Sequence, residues 1–302
     1  MSWISFAVFG YFLGAISVLG DKIILKKILP HPSSYAFWQG ILSLGAVIFI
    51  PFGFSLIPTE KIFVSFLAGA FWLYGLFFFF TALRKADASN VLPVVLSLTA
   101  ILIFMMEAVF LGHQFSRTDL LAGVLLVCGS VALSLEHRWG HRRKIRGFII
   151  PAVATAFLFA FSTFLMKYLF GTESFFNVFI WSRGGLFLAG LSFVLSPDFR
   201  SEIVAGSKSL KRPRASTSVV INKIFGASGA LSIFFAISRG PAALVNALQG
   251  LEYAFLFAIG ALLSLWVPTL INESLSPKAI MQKIFGMIMV SLGLFVLYFY
   301  GK

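Results

Sequence analysis

The sequence predicts an all-α integral membrane protein of about ten transmembrane helices, arranged as two inverted five-helix repeats. Three observations predict it: the composition, the spacing of the apolar runs, and a set of matches that recur in the same order in both halves of the chain. Of 302 residues, 59% are hydrophobic and only 12% are charged, and mean hydropathy is +0.95. Water is not the main solvent of such a chain. A span takes roughly 20 mostly apolar residues, so ten spans with short connections use almost all of it and leave no room for a separate soluble domain.

Taken in order, the apolar runs fall at about 3 to 25, 35 to 57, 62 to 83, 88 to 111 and 119 to 135, then 147 to 170, 175 to 196, 217 to 237, 242 to 268 and 278 to 300, each bounded by charge, Pro or Gly. The first run, Trp3 to Leu19, has no basic region ahead of it and is followed by Asp21 and Lys22 without a small-residue cleavage pattern. It reads as a first span and not as a removable signal. Two connections stand out, Glu136 to Arg146 and Ser196 to Ser218, the second carrying Lys208, Lys211, Arg212 and Arg214. Both are expected to be solvated loops on one side of the membrane.

Lys and Arg concentrate after runs one, three, five, seven and nine: Lys26 and Lys27, Arg84 and Lys85, the 138 to 146 cluster, the 200 to 214 cluster and Lys278. The other side holds little beyond Lys61, Arg117, Arg239 and Lys302. Taken alone, the positive-inside rule puts both termini outside the cytoplasm. The net charge of +13 resides mainly in these gaps, so the basic residues read as topology signals and contacts for anionic membrane lipids, and not as a nucleic-acid surface.

The matches between halves are short but ordered. Ala82-Leu83-Arg84-Lys85-Ala86-Asp87-Ala88-Ser89-Asn90 reads against Ala236-Ile237-Ser238-Arg239-Gly240-Pro241-Ala242-Ala243-Leu244. Gly112-His113-Gln114-Phe115-Ser116 reads against Asn272-Glu273-Ser274-Leu275-Ser276, each before a helix with spaced glycines. Ala15-Ile16-Ser17 with Lys22 matches Ala160-Phe161-Ser162 with Lys167, and Phe37-Trp38 matches Ile180-Trp181. The expected division is a first unit over 1–136, a basic connection over 137–146 and a second unit over 147–302. Five is odd, so a second copy enters the membrane upside down, the architecture of secondary carriers that bind substrate between their halves.

At these residues the sequence resembles the drug/metabolite transporter superfamily, in particular the EamA-type permeases. Their repeat carries a small-residue turn after its third helix and a Gly-Glu-Arg-Leu-Ser-like segment before its fifth. The second copy keeps Glu273, Leu275 and Ser276; the first has His113 in the acidic position. Glu252 stands where many relatives have Glu-Pro, with Tyr253 in place of the proline, and Arg183 after Trp181 resembles an arginine common in the corresponding helix, where the first copy offers Gln39 or Gly40. The resemblance implies a ten-helix carrier. It also implies cytoplasmic termini, against the charge count, and orientation stays open.

An ionisable side chain inside a bilayer is costly unless paired or wet. Glu252 lies near the middle of run nine, with Asn246 and Gln249 before it, and is a candidate substrate-amine or proton site, or else a structural hydrogen-bonding group. Arg183 could hold a substrate carboxylate or phosphate, or pair with Glu252 or Glu107. Glu107, toward the end of run four, is a proton-coupling candidate. Lys22 and Lys167 sit near helix ends, where long side chains snorkel. Trp38, Trp181, Tyr74 and Tyr253 either line an aromatic cavity or pack in the core. Gly10 and Gly14 form a GxxxG, and Ala152, Ala156 and Ala160 form an equivalent small face, both expected to pack helices.

The lone Cys128 excludes an intrachain disulfide, and His31, His113, His137 and His141 lack metal-ligand spacing. There is no HExxH, no supported GxSxG and no P-loop, so neither catalytic residues nor a metal or cofactor are assigned. The expected function is transport of a small polar organic molecule, such as an amino acid or related zwitterion, by alternating access. The expected partners are that substrate, membrane lipids and a coupling proton or exchange substrate, with a homodimer left open. Short loops suggest a bacterial inner membrane. The competing expectation is a lipid-handling flippase or assembly protein of the same fold.

Overall fold

The computed structural model describes residues 2–86, 88–134, 142–266 and 277–300. These are mostly helical, with short connections and no strand among the described residues. The helices are α1 (Ser2–Lys27), α2 (Pro32–Leu42), α3 (Thr59–Lys85), α4 (Ala88–Phe110), α5 (Arg117–Ser134), α6 (Arg142–Phe170), α7 (Phe175–Ser192), α8 (Pro197–Leu210), α9 (Pro213–Arg239), α10 (Ala242–Ala247), α11 (Gly250–Trp266) and α12 (Pro277–Tyr300). Seven stretches among the described residues are long and apolar enough to cross a membrane: Trp3–Lys27, Pro32–Phe52, Thr59–Lys85, Gly147–Phe170, Phe175–Leu195, Pro213–Arg239 and Ala242–Gly260. The chain is therefore a multi-pass membrane protein.

Local chemistry sets several helix starts. Pro32, Pro197 and Pro213 open α2, α8 and α9, where the missing proline N–H leaves no bond unmade. Ser174 caps α7 by accepting the Asn177 N–H at 3.3 Å.

Four stretches differ from the sequence reading. The run expected over 35 to 57 is an α-helix only to Leu42 and continues as a ten-residue 3-10 segment, Ser43–Phe52, closed by Gly53 at φ 112°. Runs of 3-10 helix this long are uncommon and often mark a hinge or strain. The stretch 196–218 is not a solvated loop: it forms α8 and the first turn of α9. Its charges masked an amphipathic helix, whose Ile203 and Gly206 are buried. Gly206 packs so closely on Ser34 of α2 that a Cβ would lie 2.0 Å from the hydroxyl. Glu202 adds a hydrogen bond accepted from Ser33 and sits 3.2 Å from His31 Nδ1. The basic connection ends early, because α6 starts at Arg142. Finally, the run over 242 to 268 is broken at Leu248 and Gln249 into α10 and α11.

Small residues let the helices approach. α1 and α9 run antiparallel: Trp3 lies on Gly240, Gly10 on Gly229, Ser17 on Gly226 and Gly20 on Asn222. α3 crosses α7 with near backbone contact, since a Cβ on Gly69 would lie 1.8 Å from the Ser182 carbonyl and one on Gly185 2.1 Å from that of Phe66. α3 also lies along α6, where Ser162 donates to the Ala68 carbonyl at 2.8 Å. Ala152, Ala156 and Ala160 are fully buried, so that face packs as expected. In the GxxxG, Gly10 takes the helix contact, whereas Gly14 faces the Glu252 carboxylate.

One junction is held from several directions. Lys167 does not snorkel; its ammonium donates to the carbonyls of Ile237 and Gly240 at 3.0 and 2.6 Å. Tyr11 donates to the Val245 carbonyl at 2.8 Å, and Glu107 accepts the N–H groups of Ala242 and Ala243 at 2.9 and 2.6 Å. Residues 237–245 are thus gripped by side chains from α1, α4 and α6. Asp21 lies 18 residues beyond Trp3, about 27 Å further along α1 at 1.5 Å per residue, toward the opposite end.

Candidate functional site

A cavity of about 620 Å³ lies between α1, α2 with its 3-10 extension, α3, α4, α6, α7, α9 and α11. Its charged and amide lining comes from Asp21, Gln39, Arg183, Lys223, Gln249 and Glu252, with Ser17, Ser43 and Ser228 adding hydroxyls. Most of the remainder is apolar, including the rings of Phe49, Trp72, Phe79, Phe159, Phe179 and Phe234. Size and character suit a small organic ligand oriented by a few charged groups.

The local fold explains how each charge arrives. Arg183 lies eight residues into α7 and is only 9% exposed. Its guanidinium stacks over Phe179 at 4.4 Å and faces Phe234 at 5.5 Å, while its Nε has no hydrogen-bond partner. It forms no ion pair among the described residues. Aromatic faces tolerate a cation without neutralising it, and the free fork can bind a carboxylate or phosphate. Glu252 is 8% exposed and also forms no ion pair among the described residues. It sits in the first turn of α11, next to the break at Leu248 and Gln249. Gln249 Oε1 and Gln39 Oε1 are buried without partners, two further acceptors at the site. A discontinuous helix beside a cavity is a recurrent way to present polar groups at membrane depth.

The other charged pair is satisfied. Lys223 lies 3.1 Å from Asp21 Oδ1 and rests on the Tyr35 ring at 4.0 Å. Asp21 also accepts from the Tyr35 hydroxyl and from Asn222 Nδ2, the latter at 2.7 Å. This cluster joins α1, α2 and α9, and hydropathy reading missed it. Asp21 marks the end of the first apolar stretch in sequence, and Lys223, inside the run over 217 to 237, is not singled out there. A buried acid and a buried base are legible only once α1 and α9 are paired.

Of the predicted site residues, Arg183, Glu252, Gln249 and Gln39 line the cavity. Asn246, Trp38, Trp181 and Glu107 do not. Asn246 is turned into its own helix, donating to the Ala242 carbonyl at 2.8 Å. Trp181 packs against Phe54 and Phe66, with ring centroids 5.3 and 5.9 Å away, and Trp38 packs edge-on against Phe37. Tyr74 is hydrogen-bonded to Ser192 at 2.8 Å. Glu107 caps α10, which uses both carboxylate oxygens. The alternative for Arg183, pairing with Glu252 or Glu107, is not formed among the described residues. The Tyr253 side chain and the segment containing Glu273 lie outside the described residues.

No protein-family model matches the chain, and no curated protein matches it. Among solved structures, one described as "Crystal structure of protein" superposes over 98% of both chains with a TM-score of 0.61 at 14% identity. The likeness is one of fold.

Proposed function

We propose that the protein is a secondary carrier of the drug/metabolite type that moves a small zwitterionic organic molecule across a plasma membrane by alternating access. The observation that carries this reading is the cavity itself. It holds one buried cation and one buried anion, Arg183 and Glu252, with no ion-pair partner among the described residues. Leaving such charges buried is costly, so their retention is explained by a ligand that supplies the counter-charges. A carboxylate or phosphate opposite Arg183 and an amine opposite Glu252 define a zwitterion.

The packing supports two inverted five-helix units. α3 packs on α6 as α1 packs on α9, and α4 packs on α6 as α11 packs on α1. Those pairs exchange if α1 corresponds to α6, α3 to α9 and α4 to α10 with α11, the correspondence that the sequence matches suggest. The gripped junction at 237–245 closes one end, and movement of the units about it would expose the cavity alternately.

The test is uptake of labelled metabolites into proteoliposomes carrying the wild type, Glu252→Gln or Arg183→Gln, matched for folded protein and orientation. Saturable uptake of one zwitterionic class that both variants lose is expected. Equal uptake by all three would overturn the reading, as would the absence of flux of any zwitterion, soluble or lipid, from folded protein.

A further inference from the structure

The cavity has a side opening. One lip is the 3-10 segment Ser43–Phe52, which packs on α7; the other is the first half of α9. Residues that line the cavity at these lips also reach the protein surface: Ile48 is 71% exposed, Val220 43% and Ile224 59%. Gly45 stands on the first lip, and a Cβ built there would meet nothing within 4 Å. Both lips belong to stretches long and apolar enough to span a membrane, Pro32–Phe52 and Pro213–Arg239. Ile48 is 16 residues into the first, and Ile224 is 11 residues into the second. The mouth therefore opens between two membrane-spanning stretches, toward hydrocarbon.

Charged groups within and an apolar mouth without make a contradictory site for a wholly polar solute. Such a solute would leave the mouth to lipid tails, against a cavity that holds Arg183 and Glu252. They make a consistent site for a molecule with both characters. We infer that the substrate is a single-chain amphiphile whose zwitterionic head lies between Arg183 and Glu252 and whose alkyl chain lies in the mouth between Gly45 and Ile224. This deepens the carrier reading and rests on it. The rings of Phe49 and Phe179 continue the apolar surface of the mouth inward. Entry is sideways from a leaflet, so the chain never leaves an apolar medium while the head exchanges water for the cavity's charges.

The experiment uses proteoliposomes of phosphatidylcholine with a fluorescent-chain lysophosphatidylethanolamine as probe and albumin extraction as the readout of which leaflet it occupies. Its soluble head, glycerophosphoethanolamine, and a set of labelled amino acids are measured alongside. Gly45→Trp plugs the mouth where space is open, and Gly45→Ala is the folding control. The expected result is movement of the lysolipid well above protein-free vesicles, kept in Gly45→Ala and lost in Gly45→Trp and in Arg183→Gln. Amino-acid flux without lysolipid movement would overturn the inference and leave the carrier reading standing. Lysolipid movement that Gly45→Trp does not affect would overturn the placement of the chain. Absence of all flux from folded protein would overturn the inference and the carrier reading together.

Discussion

Lys223 and Arg183 are two buried cations on the wall of one cavity, and they are treated in opposite ways. Lys223 has a carboxylate at 3.1 Å, and that carboxylate is held by Tyr35 and Asn222. Arg183 has aromatic faces and an unpartnered Nε. The buried acids divide likewise: Glu107 spends both oxygens on backbone N–H groups, whereas Glu252 stands beside a helix break with no cation. The difference separates charges that hold the fold from charges held ready for something else. Burial alone does not tell them apart, because all four are buried.

The contrast can be broken experimentally. The largest effect on stability is expected for Asp21→Asn, which strands Lys223: removing one member of a buried pair costs about 3–5 kcal/mol. Thermal unfolding in detergent should show a large drop, and adding Lys223→Met should restore most of it. If the single variant unfolds like wild type, the pair is not structural and the comparison fails.

Glu107→Gln comes next. It removes a charge-assisted cap from α10, at a cost of about 1.5–3 kcal/mol, while flux per folded molecule should stay unchanged. A variant that is stable but uncoupled would instead return Glu107 to the proton-coupling role that the sequence suggested. Tyr11→Phe deletes one hydrogen bond to Val245 and should cost about 1 kcal/mol in the same unfolding assay.

The smallest stability change is expected for Arg183→Gln and Glu252→Gln, which should unfold at or above the wild-type temperature because each removes a buried charge that the fold does not neutralise. A strong loss of stability in either would show a partner for that charge and sharpen the division differently.

The sequence made the spans legible because bilayer thickness imposes a run length that hydropathy detects directly. It also located Arg183 and Glu252, since a charge inside an apolar run stands out. It did not reveal α8, whose 14 residues mix Asp198, Arg200, Glu202 and Lys208 with the buried Ile203, so that average polarity resembled a loop. Nor did it reveal the α10–α11 break at Leu248 and Gln249, because the one local signal, Gly250 directly after it, is a residue that apolar spans often carry within an unbroken helix. Three of the four aromatic candidates, Trp38, Trp181 and Tyr74, do not line the cavity, for a related reason. Trp38, Trp181 and Trp72 all lie in apolar runs, yet of the three Trp72 alone, which the sequence does not single out, lines the cavity, and which face an aromatic presents depends on neighbours that a single sequence does not specify.

The clasp on residues 237–245 also gives the molecule an internal clock. The amide hydrogens of Ala242 and Ala243 are locked to a carboxylate, so they should exchange with deuterium only when the α4–α10 contact opens, whereas the amides of the 3-10 lip should exchange readily. Slow labelling at one and fast labelling at the other would mark a fixed pivot and a moving edge in the resting protein. The rate at Ala242 would then time the opening of the α4–α10 contact.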